Sequence, residues 1–117
     1  MKKILILGAT GFVGKNITLE LSKNKNYEIH AVRFKRKAYP GVNKIKWYKA
    51  DLRNPLQVDK LVKGKDIIIQ AAATTSGSKD IVSMPYIHVT DNAVMNSYIF
   101  RSAFNHKIKH FIFPSCT

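Results

Sequence analysis

The chain opens on Lys3-Ile-Leu-Ile-Leu-Gly8, an unbroken apolar run closed by glycine. Because polar residues do not alternate with apolar ones, the run predicts a strand buried on both faces, as in a parallel sheet covered by helices. Val13, Ile17 and Leu21 then recur at helical spacing, predicting an amphipathic helix that lays this stripe on the sheet and ends at Asn24 to Asn26. Tyr27 to Arg33 reads as a second strand. Arg33 to Asn43 is polar, basic and broken by Pro40-Gly41, which predicts a loop with at most one short helical turn. Ile45 to Lys49 gives a third strand.

Asn54 followed by Pro55 has the form of a helix N-cap and first helical position, with Leu56, Leu61 and Val62 facing inward and Gly64 ending the helix. Asp66 to Ala73, with Ile67-Ile68-Ile69, predicts a fourth buried strand, followed by a small, polar loop from Thr74 to Ser83. A long helix from Tyr86 or Val89 to Asn105 and a fifth strand, His110-Phe-Ile-Phe-Pro114, complete the order. Strands alternating with helices through short connections predict an α/β fold of the Rossmann type. It is a doubly wound parallel sheet of strand order 3-2-1-4-5, with ligands expected beyond the carboxyl ends of the strands.

A chain of 117 residues, 45% hydrophobic, suits a single domain over 1–117. It contains no apolar stretch near the roughly 20 residues of a membrane span, and the run Ile4 to Leu7 is too short for a signal-peptide core, so a soluble cytoplasmic protein is expected. Cys116 has no partner for an internal disulfide, and no Cys/His spacing points to a metal. The net charge of +13 raises the question of a nucleic-acid surface. The basic clusters at Lys23 to Lys25, Arg33 to Lys37 and Lys107 to Lys109 are scattered, each flanking a strand, and read as solvated surface in preference to a nucleic-acid face. Such a surface also attracts an anionic nucleotide diphosphate.

Between the first strand and the first helix stands Gly8-Ala-Thr10-Gly11-Phe12-Val13-Gly14, with Gly-x-x-Gly-x-x-Gly spacing. A pyrophosphate bound at a helix N-terminus needs a tight turn, close backbone approach and close packing of helix on strand, the tasks assigned to Gly8, Gly11 and Gly14 respectively. This wording resembles the extended short-chain dehydrogenase/reductase family of sugar-nucleotide epimerases, dehydratases and reductases, and the resemblance covers essentially the whole chain. It implies a dinucleotide cofactor, with Asp51-Leu52 at the adenine amino group and Ala71-Ala72-Ala73 against the ribose and nicotinamide side. It also implies that Asn92 supports the site, that Ser115 is the catalytic hydroxyl with Thr117 as second candidate, and that Cys116 is a candidate for proton transfer, as in some epimerase-reductases.

The end of the second strand carries no acidic residue to bind a ribose 2′-hydroxyl; Arg33 stands there, nineteen residues after Gly14, with Arg36 close behind. Guanidinium groups suit a 2′-phosphate, which favours NADP over NAD. The family's Tyr-x-x-x-Lys pair is absent from these residues. The expectation is therefore the cofactor-binding, incomplete part of a larger enzyme, lacking its nucleotide-sugar-binding segment and inactive alone. The long helix, apolar around much of its circumference from Ala93 to Phe104, predicts burial against a second partner, and the family resemblance implies that this is a homodimer through residues 89–105. Two alternatives keep the same fold: a non-catalytic NADP-binding regulator and a nucleic-acid-associated protein.

Overall fold

The computed structural model describes residues 2–72 and 85–112, with side chains from 94 onward in the last helix. The elements are β1 (Lys2–Leu7), α1 (Phe12–Leu21), β2 (Tyr27–Arg33), β3 (Ile45–Lys49), α2 (Pro55–Val62), β4 (Ile67–Gln70), α3 (Pro85–Asn105) and β5 (His110–Ile112). All neighbouring strands are parallel, in the order β3-β2-β1-β4-β5 that the sequence predicts. The predicted loop from Thr74 to Ser83 and the end of the fifth strand beyond Ile112 lie outside the described residues. Among the described residues no helix is long and apolar enough to cross a membrane.

The unbroken apolar run of β1 is divided between two cores. Ile4 and Ile6 point to one face with Ile29, Ala31 and Ile69, where Ile17 and Leu21 of α1 cover them. Leu5 and Leu7 point to the other face and meet Val58, Leu61 and Val62 of α2 and Met95 and Ile99 of α3. Each strand position therefore needs an apolar side chain, and burial of each contributes roughly 1.5–3 kcal/mol relative to exposure.

Two inward-facing assignments are corrected by the phase of the helices. Val13 is 38% exposed, and the buried stripe of α1 is Gly14 and Thr18, flanked by Ile17 and Leu21. The contact of Gly14 with Gly8 fixes how α1 is turned, and Thr18 tolerates burial because its hydroxyl donates to the Gly14 carbonyl at 2.7 Å. Leu56 is 81% exposed, whereas Val58, Leu61 and Val62 are buried. The cap is as predicted, with Asn54 Oδ1 accepting from the N–H groups of Leu56 and Gln57. At 3.6 residues per turn, Leu56 lies about 200° round the helix from Val58 and faces water.

No helical turn forms between β2 and β3. That loop is instead tied to the end of α1: Ser22 Oγ accepts from Val42 N–H at 3.1 Å, and the Ser22 carbonyl accepts from the Asn43 side chain at 2.7 Å. Gly64 ends α2 at φ +78, as expected of a glycine stop. Asp59 joins α2 to α3 by accepting from Ser102 Oγ and His106 Nε2, both at 2.9 Å.

A buried histidine sits within the sheet. His30, 5% exposed, has Nε2 3.0 Å from Glu28 Oε2 and Nδ1 2.9 Å from the Tyr48 hydroxyl. An ionised carboxylate only accepts, so Nε2 carries the proton and Nδ1 accepts from Tyr48. Burial holds the His30 pKa below its usual value despite the Glu28 hydrogen bond, and hydrogen bonds from Lys46 and His30 bring Glu28 down to about 2. The unfolded chain thus takes up both protons more readily than the folded one. Stability should fall as pH drops below 6.5, the usual histidine value, and again between 4.5 and about 2 as Glu28 is protonated. In urea melts from pH 7 to 5, His30→Gln should flatten this dependence; a wild-type midpoint indifferent to pH over that range would contradict the assignment.

Candidate functional site

The chain leaves β1 into a turn that only glycine allows. Gly8 has φ +75, and a Cβ there would lie 2.4 Å from Ala72 Cα, just past the end of β4. The Gly11 N–H donates to the Gly8 carbonyl at 3.2 Å and closes the turn, while Ala9 N–H donates to Val32 and Ala71 N–H to Leu7. The loop is thereby fixed to the ends of β2 and β4. At Gly14 a Cβ would lie 2.0 Å from the Gly8 oxygen, so glycine here lets α1 rest on the turn.

Gly11 differs from both. A Cβ there would meet only the Gly8 oxygen, at an ordinary 3.6 Å. Gly11 is the N-cap of α1, supplies no side-chain cap, and is followed by no acidic residue in the first turn. The amino end of α1 thus presents backbone N–H groups and the positive end of the helix dipole without a competing side chain, an arrangement that suits an anion. Phe12 and Val13 flank this end and are exposed.

Arg36 is brought to the same loop from the segment after β2, its Nη1 donating to the Thr10 carbonyl at 3.1 Å. Arg33, at the end of β2, directs Nη1 toward the Arg36 carbonyl at 3.5 Å. Asp51 follows β3, and its carboxylate is engaged by Arg53: Oδ1 accepts from the Arg53 N–H and Nε, and Oδ2 from Nη2, at 3.0–3.1 Å. The Arg53 hydrogen bond leads the causes that lower the Asp51 pKa, so the group is an anion at neutral pH. Leu52 is a core residue, 7% exposed. The structure therefore gathers Gly8, Thr10, Gly11, Phe12, Val13, Gly14, Arg36, Ala71 and Ala72 around one turn, with Arg33 beside them and Asp51 at the end of β3. Ala73, the Asn92 side chain, Ser115, Cys116 and Thr117 lie outside the described residues.

Three side chains at this end carry no signal in the sequence. Tyr39 reaches back from the β2–β3 loop to donate its hydroxyl to the Ala9 carbonyl at 2.5 Å. Its ring meets Trp47 edge-on at 4.8 Å and lies 5.3 Å from Lys15 Nζ. Gln70, 2% exposed, accepts from Ala72 N–H and donates to Asn96 Oδ1 of α3, each at 3.0 Å. Phe34, 43% exposed, stands between Lys35 and Arg53. The first two depend on partners thirty and twenty-six residues away; only the exposed Phe34 stood next to a residue already singled out.

A parallel α/β sheet whose first strand turns through glycines onto a helix, with small residues after the fourth strand, defines a dinucleotide-binding domain. At the carboxyl end of the strands, Gly11 leaves open space at the amino end of α1, and the guanidinium groups of Arg33 and Arg36 stand beside the loop. The chain belongs to the NAD dependent epimerase/dehydratase family, whose model matches residues 4–117. It is 34% identical over 119 residues to the bifunctional polymyxin resistance protein ArnA of Wigglesworthia glossinidia brevipalpis, covering 98% of this chain and 18% of that protein. Among solved structures, the UDP-glucose 4-epimerase from Bifidobacterium longum in complex with NAD+ and UDP superposes with a TM-score of 0.82 at 20% identity, over 99% of this chain and 37% of that one. The uronate dehydrogenase from Agrobacterium tumefaciens does so with a TM-score of 0.77 at 20% identity, over 98% and 41%. The chain thus spans less than half the length of each of these proteins.

Proposed function

We propose that this chain is the NADP-binding portion of an oxidoreductase of the epimerase, dehydratase or reductase type acting on a nucleotide sugar. The observation that carries the reading is the glycine loop. Gly8 and Gly14 are required by the protein's own contacts, whereas Gly11 leaves open space at the amino end of α1. In this reading the pyrophosphate lies against Gly11, with Thr10, Phe12 and Val13 bordering it. Ala71, Ala72 and Ala73 allow the ribose and nicotinamide side to approach, Asp51 and Leu52 border the adenine, and Asn92 supports the site. When bound, the dinucleotide supplies hydride acceptance and donation at a sugar carbon. Ser115, or Thr117 in its place, would orient the sugar oxygen, and Cys116 is retained as a candidate for proton transfer. A cytoplasmic setting belongs to the same reading.

Arg33 and Arg36 favour NADP because a 2′-phosphate adds charge-assisted hydrogen bonds worth about 1.5–3 kcal/mol. Calorimetric titration should therefore give an NADP affinity roughly 10- to 100-fold above that for NAD. Equal affinities would remove the preference, and failure to bind either dinucleotide would remove the proposed function.

The reading includes a homodimer through the long helix. Met95 and Ile99 are spent on the core and Phe100 packs against Phe111, but Phe104 is 84% exposed, with Ile112 of the edge strand 48% exposed. Multi-angle light scattering should give a dimer that Phe104→Asp converts to monomer; a wild-type monomer at 100 µM, a concentration of order that used for such assays, would overturn it.

A further inference from the structure

The lysines that look scattered along the chain are collected by the fold at the edge of the sheet opposite the glycine loop. Each strand begins beside a lysine pair: Lys2 with its neighbour at β1, and Lys25, Lys44, Lys65 and Lys109 at β2, β3, β4 and β5, each with a second lysine two positions away. These pairs make up ten of the chain's twenty Lys and Arg residues. In a parallel sheet every strand starts at the same edge, so five separate dipeptide-scale signals become one row. With neighbouring strands about 4.8 Å apart, the row is about 19 Å long.

The acidic groups at this edge are few and hydrogen-bonded, and Glu20 and Glu28 pair with one lysine each, Lys23 and Lys46. Glu28 is held by Lys46 at 2.7 Å and by His30, and Asp66 accepts from the Lys3 backbone N–H at 2.8 Å. The lysines crowd one another electrostatically: burial first, and then the charges of Lys3 and Lys46, lower the pKa of Lys65. An anion laid on this row relieves that repulsion.

The shape selects among anions. Two hollows of about 330 and 300 Å³ lie along the row on either side of β1. One is lined by Lys25, Tyr27, Asn43, Lys44 and the Glu28–Lys46 pair, and the other by Lys2, Asp66, Ile67, Lys109 and His110, so lysines outnumber carboxylates in each. A linear row of cations over hollows, with hydrogen-bonding groups and one aromatic ring, matches a chain of phosphates with attached bases. A flat bilayer would call for a continuous protruding apolar face, whereas the exposed apolar groups at this edge, Val42 before β3 and Phe104 before β5, stand at opposite ends of the row.

We propose that the amino edge of the sheet, the lysine row across β3-β2-β1-β4-β5 with its two hollows, is a binding surface for the phosphodiester backbone of single-stranded nucleic acid. The surface is independent of the dinucleotide site, since the six residues of β1 separate the two ends by about 20 Å.

The test is fluorescence anisotropy of this chain with labelled 20-nucleotide single strands, RNA and DNA in separate arms. If about four phosphates are neutralised, the slope of log K against log salt is about −3, so affinity falls roughly 50-fold between 50 and 200 mM salt. Lys25→Gln/Lys44→Gln/Lys109→Gln should weaken binding at least tenfold and bring the slope to about −1, as three fewer cations require. The equally charged control Lys35→Gln/Lys37→Gln/Lys49→Gln, at the other end of the strands, should stay within about twofold; urea midpoints check that both variants are folded. Equal weakening by the two triples would reduce the effect to net charge and overturn the proposal. Displacement of the oligonucleotide by saturating NADP would place it in the dinucleotide site, and tighter retention on phosphatidylserine vesicles than on either strand would assign the edge to membranes; each of these also overturns it.

Discussion

Gly14→Ala should destabilise the chain by at least about 3 kcal/mol, a large share of the 5–15 kcal/mol typical of a domain, while Gly11→Ala should cost about 1 kcal/mol or less. The two glycines stand three residues apart in one motif, yet their surroundings differ. The Cβ of an alanine at 14 would lie 2.0 Å from the Gly8 oxygen and 2.8 Å from its carbonyl carbon. Both are backbone atoms of a turn held by Ala9 and Ala71 to neighbouring strands, so the clash is relieved only by lifting α1 from the sheet. At 11 the backbone is extended, φ −75 and ψ 171, which alanine adopts freely, and the new methyl meets one atom at 3.6 Å. What remains is the poorer N-cap propensity of alanine.

Their effects on dinucleotide binding should be ordered differently. Gly11→Ala is expected to remain folded and to lose tenfold or more in affinity, because the methyl occupies the space in which the pyrophosphate approaches α1. Urea melts and calorimetric titration of both variants provide the check. A Gly14→Ala protein as stable as Gly11→Ala would refute the packing account, and unchanged affinity in Gly11→Ala would show that the pyrophosphate does not lie there.

This contrast also marks how far the sequence could be read. The roles of β1 and of the glycine spacing are local, since a run buried on both faces and a turn between strand and helix leave their marks within a dozen residues. The strand order is the one common to doubly wound sheets, and the element sequence with the crossover rule narrows the alternatives to it and a few others. Helix phase is different, because it is set by contacts from outside the helix. Apolarity nominated Val13 and Leu56 as buried, but the seating of Gly14 on Gly8 and the Asn54 cap turn them outward in favour of Thr18 and Val58. Tyr39 and Gln70 were invisible for a related reason: each is a polar group whose partner is fixed by the tertiary structure alone. The lysine pairs show the converse, where every residue was plain in the sequence and only their shared edge was not.

Gln70→Leu should lower stability by about 2 kcal/mol although the substitution is nearly volume-conserving and adds apolar surface to a core position. The Gln70 amide orientation is settled by its neighbours: Ala72 N–H can only donate, so the atom 3.0 Å away is the oxygen, and the nitrogen therefore donates to Asn96. Leucine supplies neither group. The Ala72 N–H is left without its acceptor beside the turn, and Asn96, half-buried on α3, loses its link to β4. Leaving such groups unsatisfied costs about 1–3 kcal/mol, more than a few additional apolar contacts return at a site already 2% exposed. Because Ala72 abuts Gly8, the loss should reach the glycine loop as well, with dinucleotide affinity falling severalfold in a variant that still folds. Hydrogen exchange at the Ala72 amide would rise while that at Leu5 and Ile68, in the body of the sheet, reports only the global change. A Gln70→Leu protein with wild-type urea midpoint and unchanged Ala72 exchange would mean that this side chain fills space and does not hold the loop.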